Sequence, residues 1–177
     1  MKRATVTIAI GALLLGSGAS AYAATNPIDV QAGGKQRPVP EAVKVPDGNT
    51  RVATYRGEGV QIYGCANGAW TLIQPAATLS HHGRAIALHS KGPVWTSTVD
   101  GSTVGAAVVP GASSPRPNAV PEVLLKANLN SGDGVFGKIT YVQRLDTRGG
   151  LAPAGSCAAG AQTASRYSAD YAFWAAK

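Results

Sequence analysis

Along most of the chain, apolar and polar residues alternate in short runs punctuated by glycine, asparagine, aspartate and proline. A period of two sends successive side chains to opposite faces of an extended strand, so the pattern predicts β structure. The clearest case is GVQIYGC and WTLIQ on either side of Asn67-Gly68, residues 59–74. An Asn-Gly pair tolerates positive φ at both central positions, which is what a two-residue type I′ hairpin requires. Pairing outward from that turn puts Cys65 opposite Trp70, Tyr63 opposite Leu72, and Gln61 opposite Gln74. Val60, Ile62 and Ile73 then share the other face. Apolar residues on both faces predict a central hairpin covered on two sides.

Asp100-Gly101 repeats the turn signal between VWTSTV and STVGAAVV. Trp95, Val99, Val104 and Ala106 fall on one face there, and Thr96, Thr98 and Thr103 on the other, as in a half-exposed hairpin. VLLKANL and VFGKITYVQRL read as strands joined by the turn NSGDG. RYSADYAFW reads as a last strand with Tyr167, Tyr171 and Phe173 on one face. The proline-rich stretch PGASSPRPNAVP, residues 110–121, reads as one long loop. No helix longer than two turns is predicted after residue 23. The expected fold is all-β, an antiparallel sandwich or partly closed barrel of about seven to nine short strands.

The beginning of the chain has a different pattern. Lys2 and Arg3 precede an apolar run from Ile8 to Leu15, and Ala21-Tyr22-Ala23 offers small residues where a signal peptidase reads. This predicts a secretory signal peptide over 1–23. A flexible lead-in over 24–44 then docks near Val43, and a single β domain occupies 45–177. Cleavage leaves Ala24–Lys177, 154 residues, enough for one domain with a real core. No later stretch is apolar enough to span a bilayer, so a secreted or extracytoplasmic product without a transmembrane segment is expected. Losing Lys2 and Arg3 lowers the formal net charge from +7 to +5. The remaining basic residues are scattered rather than gathered on one face with stacking aromatics, so nucleic acid is not an expected partner.

Candidate chemistry is thin. Two cysteines, Cys65 and Cys157, are an even count in an oxidising compartment and suggest a disulfide; the alternative is a reactive thiol with a histidine partner. Closing so long a loop stabilises by about 4–5 kcal/mol in the chain-entropy picture. All three histidines fall between residues 81 and 89. His81-His82-Gly83 reads as a turn. His89 sits on a strand face it shares with Ala85 and Ala87, which leaves room beside it. His82 and His89 are seven apart, which matches no usual metal spacing, so no metal and no cofactor are expected. No nucleophile elbow and no HExxH occurs. Asp47, Asp100 and Asp133 adjoin turn glycines, where aspartate serves the backbone. Asp146 and Asp170 lie at or on strands without a signal that pairs them. In YVQRLDTRGG, Gln143 shares a face with Tyr141 and Leu145, either as a satisfied core amide or as a ligand contact. Arg144, on the other face, either pairs with Asp170 or caps a pocket that accepts an anion.

Taken in order, GVQIYGC with a following Trp, LHSKGPVW, VDGSTV, PEVLLKA, ITYVQRLDTRGGLAP with a following Cys, and YSADYAFW form a recognisable series. It resembles the secreted bacterial and fungal family known as domain of unknown function 3455, over about Val45 to Trp174. The resemblance implies a secreted, mainly β domain with its two cysteines paired, and it supplies no mechanism. His89, Gly92-Pro93, Trp95, Asp100-Gly101, Gln143 and Arg144 match the family pattern. His82 stands where relatives tend to be acidic, and Glu122 where they tend to be aromatic. Some fungal relatives carry a malate dehydrogenase label, but no nucleotide-binding turn or strand–helix alternation supports dehydrogenase activity here.

The expected function is an exported β domain that binds a small molecule or a cell-envelope component, with His89, Trp95, Gln143 and Arg144 as candidate ligand contacts and no catalytic set. Two alternatives stand beside it. One is a secreted enzyme using His89 as general base or metal ligand; the other is a structural or adhesive protein without a pocket.

Overall fold

A computed structural model describes residues 37–177; the expected signal peptide and most of the lead-in lie outside them. Eight antiparallel strands follow one another around a ring: β1 (Asn49–Ala66), β2 (Ala69–His81), β3 (Arg84–Ser90), β4 (Val94–Ser97), β5 (Thr103–Arg116), β6 (Ala119–Ser131), β7 (Ile139–Gly149) and β8 (Gln162–Ala176). Each pairs with the next, and β8 returns to pair with β1 from Asn49 to Gly64. The all-β expectation holds, and of its two forms, sandwich or partly closed barrel, the strands take the barrel, closed into a ring. The ring is uneven. β1 runs for 18 residues and β8 for 15, far from the short strands expected, whereas β4 has only four.

Asn67 (φ 52°) and Gly68 (φ 78°) form the anticipated tight turn, and Cys65 opposes Trp70 and Tyr63 opposes Leu72 as expected. Beyond that the register slips by one. A bulge between Ile62 and Tyr63 sets Gln61 against Pro75 and Ile62 against Gln74. A bulge adds a residue to one strand without changing the composition of either, so an apolar run such as VQIY hides it. The hairpin is covered on its inner face alone, and Leu72 is 54% exposed.

At Asp100-Gly101, Trp95, Val104 and Ala106 do share the interior, and Thr96 pairs with Thr103 outside. Val99 does not join them; it lies in the turn, 59% exposed. The turn is longer than two residues because Asp100 is drawn across the end of the barrel. Its carboxylate accepts from the Ser102 amide and hydroxyl and from the Val135 amide. The stretch 110–121 is not a loop. β5 and β6 run through most of it and turn at Pro117-Asn118. The ladder tolerates the prolines because its register skips between Val108 and Ser113 and again between Ser114 and Arg116.

The interior is one cluster in which Leu79, Trp95, Val104, Leu125, Phe136, Val142, Tyr171 and Phe173 meet. Gly57 faces it where any Cβ would come within 2.7 Å of the Tyr171 ring, so the glycine makes space for the tyrosine. Phe136 leaves the predicted strand pattern altogether. It lies between β6 and β7, fully buried, and packs against Phe173 (4.7 Å between centroids) and Tyr55 (6.5 Å). That end of the barrel, where β1 begins and β8 finishes, is therefore plugged. Outside the barrel, a single 3₁₀ turn (Glu41–Val43) lays Val43 on Ala112 and Leu124, with Val45, Val109, Tyr141 and Leu145 around them.

At the opposite end, Cys65 and Cys157 form a disulfide across 92 residues. The Cys65 amide donates to the Ala161 carbonyl and the Cys157 amide to that of Gly68, so the connection between β7 and β8 is tied to the first hairpin turn. No helix among the described residues is long and apolar enough to cross a membrane.

Candidate functional site

Three of the four candidate residues turn inward, and they do so because of strand alternation. On β3, Ala87 and His89 face the interior; on β4, Trp95 and Ser97 do. His89 and Trp95 are cross-strand partners, and their rings stack in parallel at 4.4 Å. Tyr171 meets both edge-on, 5.2 Å from His89 and 5.5 Å from Trp95. Arg144 is the cross-strand partner of Tyr171 between β7 and β8 and so shares its inward face.

The fourth residue does not join them. Gln143 precedes Arg144 and faces out, beneath the 3₁₀ turn. Its amide donates to the Val43 carbonyl at 2.6 Å and accepts from the Trp174 indole at 2.8 Å. Both ends of the amide are thus committed to holding the lead-in and β8 to the outer wall.

His89 is buried, and its Nδ1 lies 2.9 Å from the Val94 carbonyl. A carbonyl only accepts, so Nδ1 carries the proton and Nε2 keeps a free lone pair. Burial lowers the pKa to about 4, opposed by the hydrogen bond to Val94 and assisted by the positive charge of Arg144. The ring is neutral at pH 7.

Arg144 is half-buried, and Nε and Nη2 both donate to the Pro121 carbonyl at 3.2 and 2.9 Å. It forms no ion pair with a described residue. Asp170, the partner considered from the sequence, is taken by Arg56 at 3.1 Å on the outer wall. The charge of Arg144 instead acts on His89, Tyr63, Tyr167 and Tyr171. Tyr167 and Tyr171 approach hydroxyl to hydroxyl at 3.2 Å, and burial pushes the pKa of each upward, so both stay protonated. Tyr63 donates to the Gly150 carbonyl at 2.6 Å. Two buried atoms among these residues have no partner, Gln61 Oε1 and Trp95 Nε1.

Sequence reasoning placed Tyr167 and Tyr171 on one face but assigned them no role, and it assigned none to Gln61 or Tyr63. Their common surroundings come from three strands, and only the closure of the ring by β8 on β1 brings Gln61 and Tyr63 beside them. A cluster that was missed entirely lies on the outer wall. Glu122 is 1% exposed, and its Oε1 pairs with Arg37, lies 3.7 Å from Arg116 and accepts from the Asp146 amide, while Oε2 has no partner. Asp146 in turn lies 3.2 Å from Arg116 and 3.5 Å from Arg148. Both strand aspartates are therefore held by arginines.

The outer wall also carries an open groove of about 670 Å³, edged by Glu58, Val60, Arg148, Arg166 and Ser168. Its floor is the cross-strand row Gly59, Tyr167 and Gly149, none of which sends a side chain outward. The groove is the saddle this row leaves, separated from His89 and Trp95 by the barrel wall. His82 (φ 47°) is a turn residue, as expected, and among the described residues no group of three or more His, Cys, Asp or Glu is placed to hold a metal ion.

The model of the family described as "Protein of unknown function (DUF3455)" matches residues 46–175. The chain belongs to this family. No curated protein and no solved structure matches it. Membership agrees with the series of motifs, and the family's description adds no activity to the geometry.

Proposed function

We propose that this member of the family is an exported binding module whose barrel interior, at the disulfide end, takes a small molecule or one unit of a cell-envelope component. Small eight-stranded barrels either fill with side chains or hold one small ligand. The observation that carries the reading is Arg144, a guanidinium on the inner face with tyrosine hydroxyls and a neutral histidine around it and no carboxylate among the described residues. Arg144 is half-buried and keeps part of its guanidinium in contact with solvent, and a cation placed on an inner face without a counter-ion is open to an anionic guest. The unpartnered Gln61 Oε1 and Trp95 Nε1 point the same way, since buried polar atoms are ordinarily satisfied.

Export is supported by the leader pattern of residues 1–23 and by a disulfide that an oxidising compartment preserves. An enzyme built on His89 as general base is disfavoured, because a ring with a pKa of about 4 is a weak base at neutral pH. The test is a melting-temperature screen of the oxidised protein against envelope sugars, lipids and small anions. Stabilisation by one class, abolished in Arg144→Met, is the expected result. No shift across the whole screen would remove the main support for a binding module.

A further inference from the structure

The polar half of the barrel narrows the kind of molecule it suits. Two of the Arg144 nitrogens are anchored on the Pro121 carbonyl, which fixes the plane of the guanidinium; the Tyr171 hydroxyl takes a further bond from it, and the rest of its terminal N–H groups remain as donors. Tyr167 and Tyr171 bring two hydroxyls within 3.2 Å of each other, where one can donate to the other and the second remains free to donate to a guest. Trp95 Nε1 is a donor by chemistry and has no acceptor. Gln61 Oε1 and His89 Nε2 stand open as acceptors beside these donors, but the one charged group is a donor, and a guest that supplies an anionic acceptor matches it. Only one formal charge is available. Asp146, Asp170 and Glu122 are bound to arginines on the outer wall, and His89 contributes no charge near neutral pH because it is buried.

We infer that the interior site takes a singly charged carboxylate, held by the remaining donors of Arg144 with a tyrosine hydroxyl beside them. This rests on the binding reading above and deepens it. Arginine presents its donors in a planar fork that suits a carboxylate. A doubly charged phosphate would bring a second negative charge into a partly desolvated space that holds one cation, and that excess charge is what the barrel disfavours. The carboxylate belongs either to a free organic acid or to a uronic acid unit of an envelope polymer, and both present the same group.

The experiment follows the Trp95 indole N–H and Arg144 Nε–H signals of the full oxidised protein by NMR. Benzoate, benzamide, galacturonate, galactose and inorganic phosphate are added separately. Benzoate, galacturonate or both should move these signals saturably, with the neutral counterparts binding at least about ten-fold more weakly, a difference of about 1.4 kcal/mol. A response to galacturonate without benzoate identifies the sugar-acid source, and the converse a free acid. Arg144→Met should lose at least that factor, and Arg144→Lys, which keeps the charge but not the fork, should retain part of it. Arg148→Gln on the outer wall should bind as the wild type does.

Equal binding of benzamide and benzoate, or undiminished benzoate binding by Arg144→Met, overturns the carboxylate and leaves the binding reading standing. Tighter binding of phosphate than of either carboxylate overturns the single charge. If none of the five moves the two signals, the inference fails; the binding reading fails with it only if the wider panel of neutral sugars and lipids also leaves them still.

Discussion

The two ends of the barrel interior are built from the same eight strands by opposite means. At the plugged end, Phe136, Phe173 and Tyr55 meet ring against ring, and Asp100 stitches one loop to another with bonds to Ser102 and Val135. At the disulfide end, His89, Arg144, Tyr63, Tyr167 and Gln61 gather, two atoms stay unsatisfied, and a covalent bond does the closing. A chain that needed only to fold would gain by extending the first arrangement through to the second. The difference teaches that apolar packing and polar side chains are segregated along the barrel axis, and it can be tested at both ends.

The largest effect should come from the covalent tie. Replacing Cys65 and Cys157 together by serine should lower the unfolding free energy by about 4–5 kcal/mol, since the bond closes a loop of 92 residues. Urea titrations of the oxidised protein and the double variant measure it. A loss below about 1 kcal/mol would mean that the disulfide end is held by its packing after all. Next is Phe136→Ala, expected to cost about 3–5 kcal/mol by opening a cavity at the plugged end, again read from urea midpoints.

The pH dependence of His89 is third. Its folded pKa of about 4 lies below the ordinary 6.5, so the unfolded chain binds the proton more readily between those values. The histidine therefore adds nothing to stability changes above pH 6.5, and stability falls by about 2–3 kcal/mol as the pH drops from 6.5 towards 4. His89→Gln should flatten that part of the profile. Smallest is Arg144→Met, which should change stability by no more than about 1 kcal/mol in either direction, because it removes a cation that has no counter-ion among the described residues. A loss of 3 kcal/mol or more would make Arg144 a structural residue and erase the contrast between the two ends.

Much of the plugged end was legible in the sequence, and little of the other. Alternation told which face Trp95, Val104, Tyr171 and Phe173 would share, because burying one face of a strand forces a period of two. The Asn67-Gly68 turn gave the first four residues of its register and failed at the bulge, which leaves no mark in composition. Prolines 110, 115, 117 and 121 read as a loop, although a bulged ladder accommodates them. Closure itself was out of reach, because the pairing of β1 with β8 joins residues far apart in the chain, from Gly64 with Gln162 to Asn49 with Ala176, with no local signal. The candidate site suffered for the same reason. His89 and Trp95 are near neighbours in sequence and were found together, whereas Tyr167, Gln61 and Arg144 meet them only around the ring. Gln143 was grouped with Arg144 by adjacency, yet alternation turns it to the other side of the wall, where it secures Val43.

β4, with only four residues, bears on access to the interior. It meets β5 through three residue pairs, Val94 with Gly105, Trp95 with Val104 and Thr96 with Thr103, whereas β1 and β8 are zipped along nearly their whole length. A ring opens first at its narrowest seam, and local openings of this kind cost less than global unfolding. The seam here has Trp95 on one side and Val104 on the other. Its amides should exchange with solvent before those of β1 and β8, and each opening would part Trp95, still stacked on His89 of β3, from Val104 while the rest of the ring stays shut, making the seam a side door to the polar half of the barrel.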